Sequence, residues 1–329
     1  MYTQQIIMLL NWLAIIGGFG VLVWSADRFV LGSAAAARNL GVAPLVIGIT
    51  IMGFGTSAPE MLVAGLASWE GNPGLAIGNV FGSNIANIGL VLGTSALITP
   101  MQVNSDILRR EFPILFAIML LALVLMLDGD LNFLDGSILL LGMVIMIMWM
   151  VHLGLRSRAS DPLQSEFDLE VPKQMSMTLA IFWIVLGLTL LVLSSRLLVW
   201  GAVGVATSFG ISDLVIGLTI VAIGTSLPEL AASVMGALKG EHEIALGNIL
   251  GSNMFNLLAV LGLPGVIQPS VFEPAVLWRD FPVMIGLTIA LFLMAYGFRG
   301  PGRINRIEGG ILLLAFAGYL ASLYFTASR

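Results

Sequence analysis

Gly55-Thr56-Ser57-Ala58-Pro59-Glu60, followed by Gly78-Asn79, Gly82-Ser83-Asn84 and Asn87, sets a carboxylate and a group of small polar residues inside an otherwise apolar run. An ionisable group in such a run is costly to bury, so it marks a functional site by default. The arrangement recurs as Gly224-Thr225-Ser226-Leu227-Pro228-Glu229, Gly247-Asn248, Gly251-Ser252-Asn253 and Asn256, at a constant offset of 169 residues. Residues 45–93 align with 214–262 without a gap, and 22 of the 49 positions are identical. A fixed-period match of this kind is what an internal duplication leaves. Most of the identities are polar or glycine, whereas a match serving helix packing alone would retain apolar positions to a similar degree. Outside the motif, Arg110-Glu111-Phe112-Pro113 still matches Arg279-Asp280-Phe281-Pro282.

The surroundings of the motif are those of a membrane protein. Of 329 residues, 58% are hydrophobic and 10% charged, and the mean hydropathy is +1.01. That balance lies far from the one found in soluble domains. Lys and Arg number 14 against 19 Asp and Glu, so no basic field exists to attract nucleic acid. The chain has no cysteine, which excludes disulfides and thiolate ligands. Its first apolar run has no small-residue cleavage pattern after it and is expected to be a retained helix, not a signal peptide.

A span needs roughly 20 apolar residues. Runs of that kind predict about ten transmembrane helices, at 6–37, 43–69, 75–98, 106–127, 131–152, 176–208, 213–238, 244–267, 275–297 and 305–325. The fold class expected is therefore an all-α polytopic membrane protein. The first and sixth runs exceed the length of a perpendicular span and carry charge part-way along, Asp27 and Arg28 in one and Arg196 in the other. Either each is a tilted helix whose charges snorkel to the interface, or each is a long sliding or gating helix. The one extended polar stretch, Arg156 to Lys173, separates five spans from five. The expected organisation is a first repeat over 1–152 with its ion-binding motif at 43–98, a cytoplasmic linker over 153–175, and a second repeat over 176–329 with its motif at 212–267. An odd number of crossings separates equivalent points, so the repeats have opposite orientation in the bilayer. With the N-terminus outside, ten basic residues (Arg38, Arg109, Arg110, Arg156, Arg158, Lys173, Lys239, Arg299, Arg303 and Arg306) fall at cytoplasmic ends, and only Arg279 and Arg329 fall outside. The positive-inside rule then predicts both termini outside and the linker in the cytoplasm, as expected of a multi-pass protein of a cytoplasmic membrane. Acids such as Glu70, Asp128, Asp130 and Asp213 lie in the external turns.

Within a helix, proline lacks an N–H and opposes the carbonyl four residues earlier, so Pro59 and Pro228 free backbone oxygens at Gly55 and Gly224. Freed carbonyls at membrane depth are tolerated where they line a cavity or coordinate an ion. Each break has hydroxyls beside it (Thr56 and Ser57; Thr225 and Ser226) and a carboxylate (Glu60; Glu229). On the following helix, Asn79, Ser83 and Asn87 share one face, as do Asn248, Ser252 and Asn256, with Asn84 and Asn253 off that stripe. Gly78, Gly82, Gly247 and Gly251 are expected to let helix backbones approach closely. Hard oxygen donors suit Na⁺, Ca²⁺ or Mg²⁺, whereas zinc or copper would call for His or Cys. One Gly/Ser/Asn helix alone would be a packing seam, and one Pro-kinked helix is common. Here both copies pair the break with a Glu, and inversion brings Glu60 and Glu229 together near the midplane. A bound cation relieves the cost of that pair, and two negative charges match one divalent ion.

At these residues the sequence resembles the calcium/cation antiporter superfamily, which includes the sodium/calcium exchangers, and in particular its bacterial and archaeal branch. The resemblance covers essentially the whole chain, and its signatures are GTSAPE with GNVFGSNIAN and GTSLPE with GNILGSNMFN. It implies a ten-helix inverted repeat whose second, third, seventh and eighth spans build the ion sites, while the first and sixth slide to give alternating access. It also implies ligands at Glu60, Glu229, Thr56, Ser57, Thr225, Ser226, Ser83, Asn87, Ser252 and Asn256. Archaeal exchangers of this type place an aspartate at one of the last two positions, whereas Asn87 and Asn256 are both amides, leaving two carboxylates instead of three.

The function expected is secondary exchange of Ca²⁺ for Na⁺ or H⁺, with inorganic cations and the lipid bilayer as partners and no prosthetic group. The same architecture carrying Mg²⁺, Mn²⁺ or K⁺ is the nearest alternative. An intramembrane hydrolase using Ser57 or Ser226 would need a base, but His152 and His242 lie at helix ends and Lys173 and Lys239 in loops. A channel or scaffold is disfavoured by the duplicated Glu. No Gly-x-x-x-x-Gly-Lys-Ser/Thr loop is present, so uphill transport draws on an ion gradient.

Overall fold

The computed structural model describes residues 2–103, 107–157, 175–209, 222–296 and 302–327. These form ten helical stretches: α1 (Tyr2–Leu40), α2 (Pro44–Trp69), α3 (Pro73–Ile98), α4 (107–126), α5 (Phe133–Ser157), α6 (Met177–Ser208), α7 (222–238), α8 (His242–Ile267), α9 (Val276–Ala295) and α10 (Arg306–Ala327). Eight are long and apolar enough to cross a membrane, the other two being α4 and the described part of α7. Their ends agree with the predicted spans to within a few residues, except that α1 begins earlier and α5 continues to Ser157. Most of the predicted linker, the start of the seventh span with Asp213, and Arg158, Lys173, Arg299 and Arg329 lie outside the described residues.

Proline and glycine punctuate the two motif hairpins in the same way. α2 is interrupted at Ser57 (φ −81°, ψ 0°) and restarts at Ala58-Pro59, and α7 is interrupted at Ser226 (φ −89°, ψ 5°) and restarts at Leu227-Pro228. Proline suits the first turn of a restarting helix, because the N–H it lacks would be unsatisfied there in any case. Each hairpin then turns at a glycine in the left-handed region, Gly71 (φ 81°) and Gly240 (φ 75°), a conformation that favours a residue without a Cβ.

Four two-residue strands tie the halves together. β1 (Met101–Gln102) pairs antiparallel with β4 (Arg303–Ile304), and β2 (Asp130–Leu131) with β3 (Ser270–Val271). Six helices separate β1 from β4 and four separate β2 from β3, so ten alternating crossings bring both members of each pair to the same side. The strands were not predicted. Each is too short to carry an alternation of apolar and polar residues.

Around this frame burial is layered. α8 is buried along its whole length and α3 along most of it, whereas α1, α6 and α10 leave most of their apolar surface exposed. Ile6, Leu9, Leu13, Ile16 and Phe19 of α1 belong to that exposed surface, which faces lipid in a membrane protein. α1 and α6 pack against each other as a long pair, and a Cβ on Gly32 or Gly187 would meet the partner's backbone at Ala180 or Phe29 at 2.8 Å. The charges part-way along them are handled individually. Asp27 receives the Lys239 ammonium at 2.7 Å. The Arg28 guanidinium lies over the rings of Trp24 and Trp183, at 5.7 and 5.1 Å. Arg196 is exposed.

Candidate functional site

The broken helices place their carboxylates at the centre of the bundle. Glu60 and Glu229 each stand in the first turn of the restarting segment, where backbone N–H groups concentrate partial positive charge. Each is only 1% exposed, and the two are near enough for their charges to repel. No third His, Cys, Asp or Glu joins them among the described residues.

Hydroxyls and amides from both halves surround the pair. The Thr56 hydroxyl donates to Asn248 Oδ1 at 3.1 Å and lies 3.3 Å from Ser252 Oγ, so the break in α2 is joined to α8. Thr56 also sits beside the Glu229 carboxylate. Asn248 Nδ2 donates to Ser233 Oγ at 2.9 Å, which fixes the orientation of that amide. On the other side, Asn87 Nδ2 donates to Asn253 Oδ1 at 3.0 Å. Several buried polar atoms of this group have no hydrogen-bond partner among the described residues. They are Ser57 Oγ, Ser226 Oγ, Glu60 Oε2, both Glu229 oxygens, Asn87 Oδ1 and both amide atoms of Asn256. Buried polar atoms are almost always satisfied, and a cluster of oxygens left open beside two carboxylates is the chemistry of a hard-cation site.

The backbone contributes two further features. α3 and α8 widen to π-helical turns that begin at Asn87 and Asn256, over Asn87–Leu92 and Asn256–Val260. Such turns concentrate at functional sites, since they leave carbonyls without the usual i−4 partner. The close approach expected of Gly247 and Gly251 is realised between α8 and α2. A Cβ at Gly251 would come within 2.5 Å of the Ile49 carbonyl oxygen, and one at Gly247 within 2.7 Å of the Leu45 oxygen. At Gly78 and Gly82 that expectation is not met among the described residues, where a Cβ on either would meet nothing within 4 Å; Leu214 and Leu218, the counterparts of Leu45 and Ile49 at the 169-residue offset, lie outside the described residues.

Every residue predicted for the site is in one of the four motif helices. Ser83, Asn87, Ser252 and Asn256 are buried with the glutamates, as are Thr56, Ser57 and Ser226, while Thr225 is half-buried. Asn79 is also half-buried, unlike its counterpart Asn248, which is fully buried. Three contributors escape a stripe argument. Asn253 lies off the i, i+4, i+8 face yet holds Asn87; its appearance in both copies was the available signal. Ser233 orients Asn248, and its counterpart Ala64 gives no hint of that role. Ser195 of α6 donates to the Gly224 carbonyl at 2.9 Å, so the oxygen freed by Pro228 is taken up by a hydroxyl from another helix.

Comparison with known proteins gives one consistent result. The family model described as "Sodium/calcium exchanger protein" matches residues 10–152 and 179–325. The putative antiporter CaxA of Alkalimonas amylolytica is 49% identical over 96% of this chain and 99% of its own. The inner membrane protein YrbG of Escherichia coli (strain K12) is 39% identical over 97% of this chain and 98% of its own. Among solved structures, the sodium-calcium exchanger NCX_Mj superposes with a TM-score of 0.82 at 33% identity, covering 96% of this chain and 99% of that one.

Proposed function

Because the chain belongs to the sodium/calcium exchanger family, we propose that it exchanges Ca²⁺ for Na⁺ or H⁺ across the cytoplasmic membrane at the site held by Glu60 and Glu229. It is a membrane transporter and not an enzyme, with the ten-helix inverted-repeat fold of that family. The observation that carries the proposal is the pair of fully buried carboxylates, presented by two interrupted helices and ringed by oxygens that have no partner among the described residues. Two negative charges buried together are expensive until a cation joins them, and one Ca²⁺ balances both.

In this mechanism Glu60 and Glu229 take Ca²⁺ together. Ser57, Ser226, Asn87 and Asn256 supply neutral oxygens, with Thr56, Thr225, Ser83 and Ser252 completing or orienting the shell. Monovalent ions or protons occupy the same carboxylates in the return step, and the site is exposed to one side at a time. The two repeats, 1–152 and 176–329, each contribute half of it. Both termini face the outside in this scheme, which leaves the linker of 153–175 in the cytoplasm.

Flux in reconstituted liposomes tests the proposal. Calcium uptake should require an opposing Na⁺ or H⁺ gradient and should fall on Glu60→Gln or Glu229→Gln substitution. Uptake indifferent to both defeats it, and uptake of Mg²⁺, Mn²⁺ or K⁺ in place of Ca²⁺ assigns the site to another cation.

A further inference from the structure

Duplication relates one ion pair of this chain to two residues that are not paired. The offset of 169 carries Asp27 onto Arg196, and Glu70 onto Lys239. Lys239 Nζ lies 2.7 Å from Asp27 Oδ1, joining the long helix α1 to the turn between α7 and α8. The equivalent partners across the inverted repeat, Arg196 on α6 and Glu70 at the turn between α2 and α3, have the same complementarity with the signs exchanged. Both are exposed, and they make no ion pair among the described residues.

Packing beside the two positions differs in the same sense. Leu22, Ala26, Phe29 and Val30 of α1 form one apolar cluster with Ala231, Ala232 and Met235 of α7, and Ala232 is fully buried. Leu62 and Leu66 of α2 stand where duplication places Ala231 and Met235, and they are 54% and 60% exposed. Arg38 reinforces the closed side, with its guanidinium 3.4 Å from Glu241 on the same turn as Lys239. Among the described residues α1 is therefore closed over the motif hairpin of the second half, and α6 is not closed in the same way over that of the first.

We propose that Asp27–Lys239 and Arg196–Glu70 are alternative latches, of which only one is made at a time. The inference rests on the alternating-access reading above. In an inverted repeat the two access states interchange the roles of the halves, so a contact from α1 to the second half in one state is replaced in the other by the equivalent contact from α6 to the first half. Inversion also puts the two pairs on opposite faces of the membrane. The structure shows the state in which Asp27–Lys239 holds one face shut. Movement of the α1–α6 pair that parts Asp27 from Lys239 brings Arg196 to Glu70 and shuts the other face. Partly exposed ion pairs bias an equilibrium by only about fivefold, a size that lets each latch open once per cycle.

The chain has no native cysteine, so paired cysteines can be introduced without a background. One variant carries Asp27→Cys with Lys239→Cys, a second carries Glu70→Cys with Arg196→Cys, and a third carries all four changes. A short, cleavable bifunctional thiol reagent should link each pair, arrest exchange about tenfold or more, and release it on cleavage. In the four-cysteine protein, linking one pair should protect the other. Separately, Asp27→Lys should slow exchange about threefold to tenfold, and adding Lys239→Asp should restore it. The latch is refuted if both pairs link within the same molecules, if linked protein exchanges at the unlinked rate, or if the charge exchange gives no rescue. Absence of any cation-gradient-driven flux in the unmodified protein would instead remove the transport reading, and mutual exclusion of the two links would then still decide whether the latches alternate.

Discussion

Glu60 and Glu229 are buried to the same degree and stand at the same position of their respective helices, so each removes half of the site's formal charge when neutralised. Glu60→Gln or Glu229→Gln keeps the size of the side chain and leaves the remaining carboxylate to face a divalent ion alone. Removing one member of a buried charge set costs about 3–5 kcal/mol, which is a hundredfold or more in affinity. Calcium flux should fall by at least that factor. In cation-free detergent the same variants should melt at a higher temperature than the parent, because the like-charge repulsion is gone, and a calorimetric scan reads this directly. The amides offer the complementary test. Asn256→Asp adds a third carboxylate beside the pair, so Na⁺ should compete with Ca²⁺ at several-fold lower concentration, measured as inhibition of calcium uptake. These residues were legible in the sequence because each occurs twice at one offset. Asn253 carried the same signal, as the copy of Asn84, but its grip on Asn87 was not legible, and Ser233 and Ser195 carried no signal as site residues. Their roles depend on which side chain arrives from another helix, and a one-dimensional stripe does not contain that information.

At the scale of the element, the decisive contact is the crossing of α2 and α8. It brings Thr56 within hydrogen-bonding distance of Asn248 and Ser252, and it is close because Gly247 and Gly251 have no side chains. Gly251→Ala puts a methyl group against the Ile49 backbone, which cannot rotate away. Overpacking of this kind typically costs about 1–3 kcal/mol, so the variant should lose thermal stability and also transport activity, since Thr56 moves with α2. Gly65→Ala is the control: a Cβ there meets nothing within 4 Å among the described residues, and stability should change little. The breaks at Ser57 and Ser226 were legible from Pro59 and Pro228. The π-helical turns at Asn87 and Asn256 were not, because no residue type enforces an extra residue per turn.

Considering the whole molecule, the ten spans and their two-fold relationship followed from hydropathy and the offset alone, since a bilayer demands one apolar run per crossing. What hydropathy does not reveal is how the halves grip each other. Each two-residue ladder takes one strand from either half, and the charged latch positions also reach across. Neither half is thus complete by itself. Residues 1–157 and 175–329, coproduced as separate chains, should assemble and recover calcium flux, while either one produced alone should be cleared by proteolysis.

The crossed ladders also bear on how the chain is made. Gln102 leaves the ribosome about 200 residues before its partner Arg303, which at roughly 5–20 residues per second is a wait of about 10–40 s. For most of that interval, once α4 and α5 have followed, the first five helices stand in the bilayer with an unpaired strand at their rim. Two residues make too short an edge to recruit a stray neighbour, so the brevity of these strands keeps the nascent half available to the half that is still being translated.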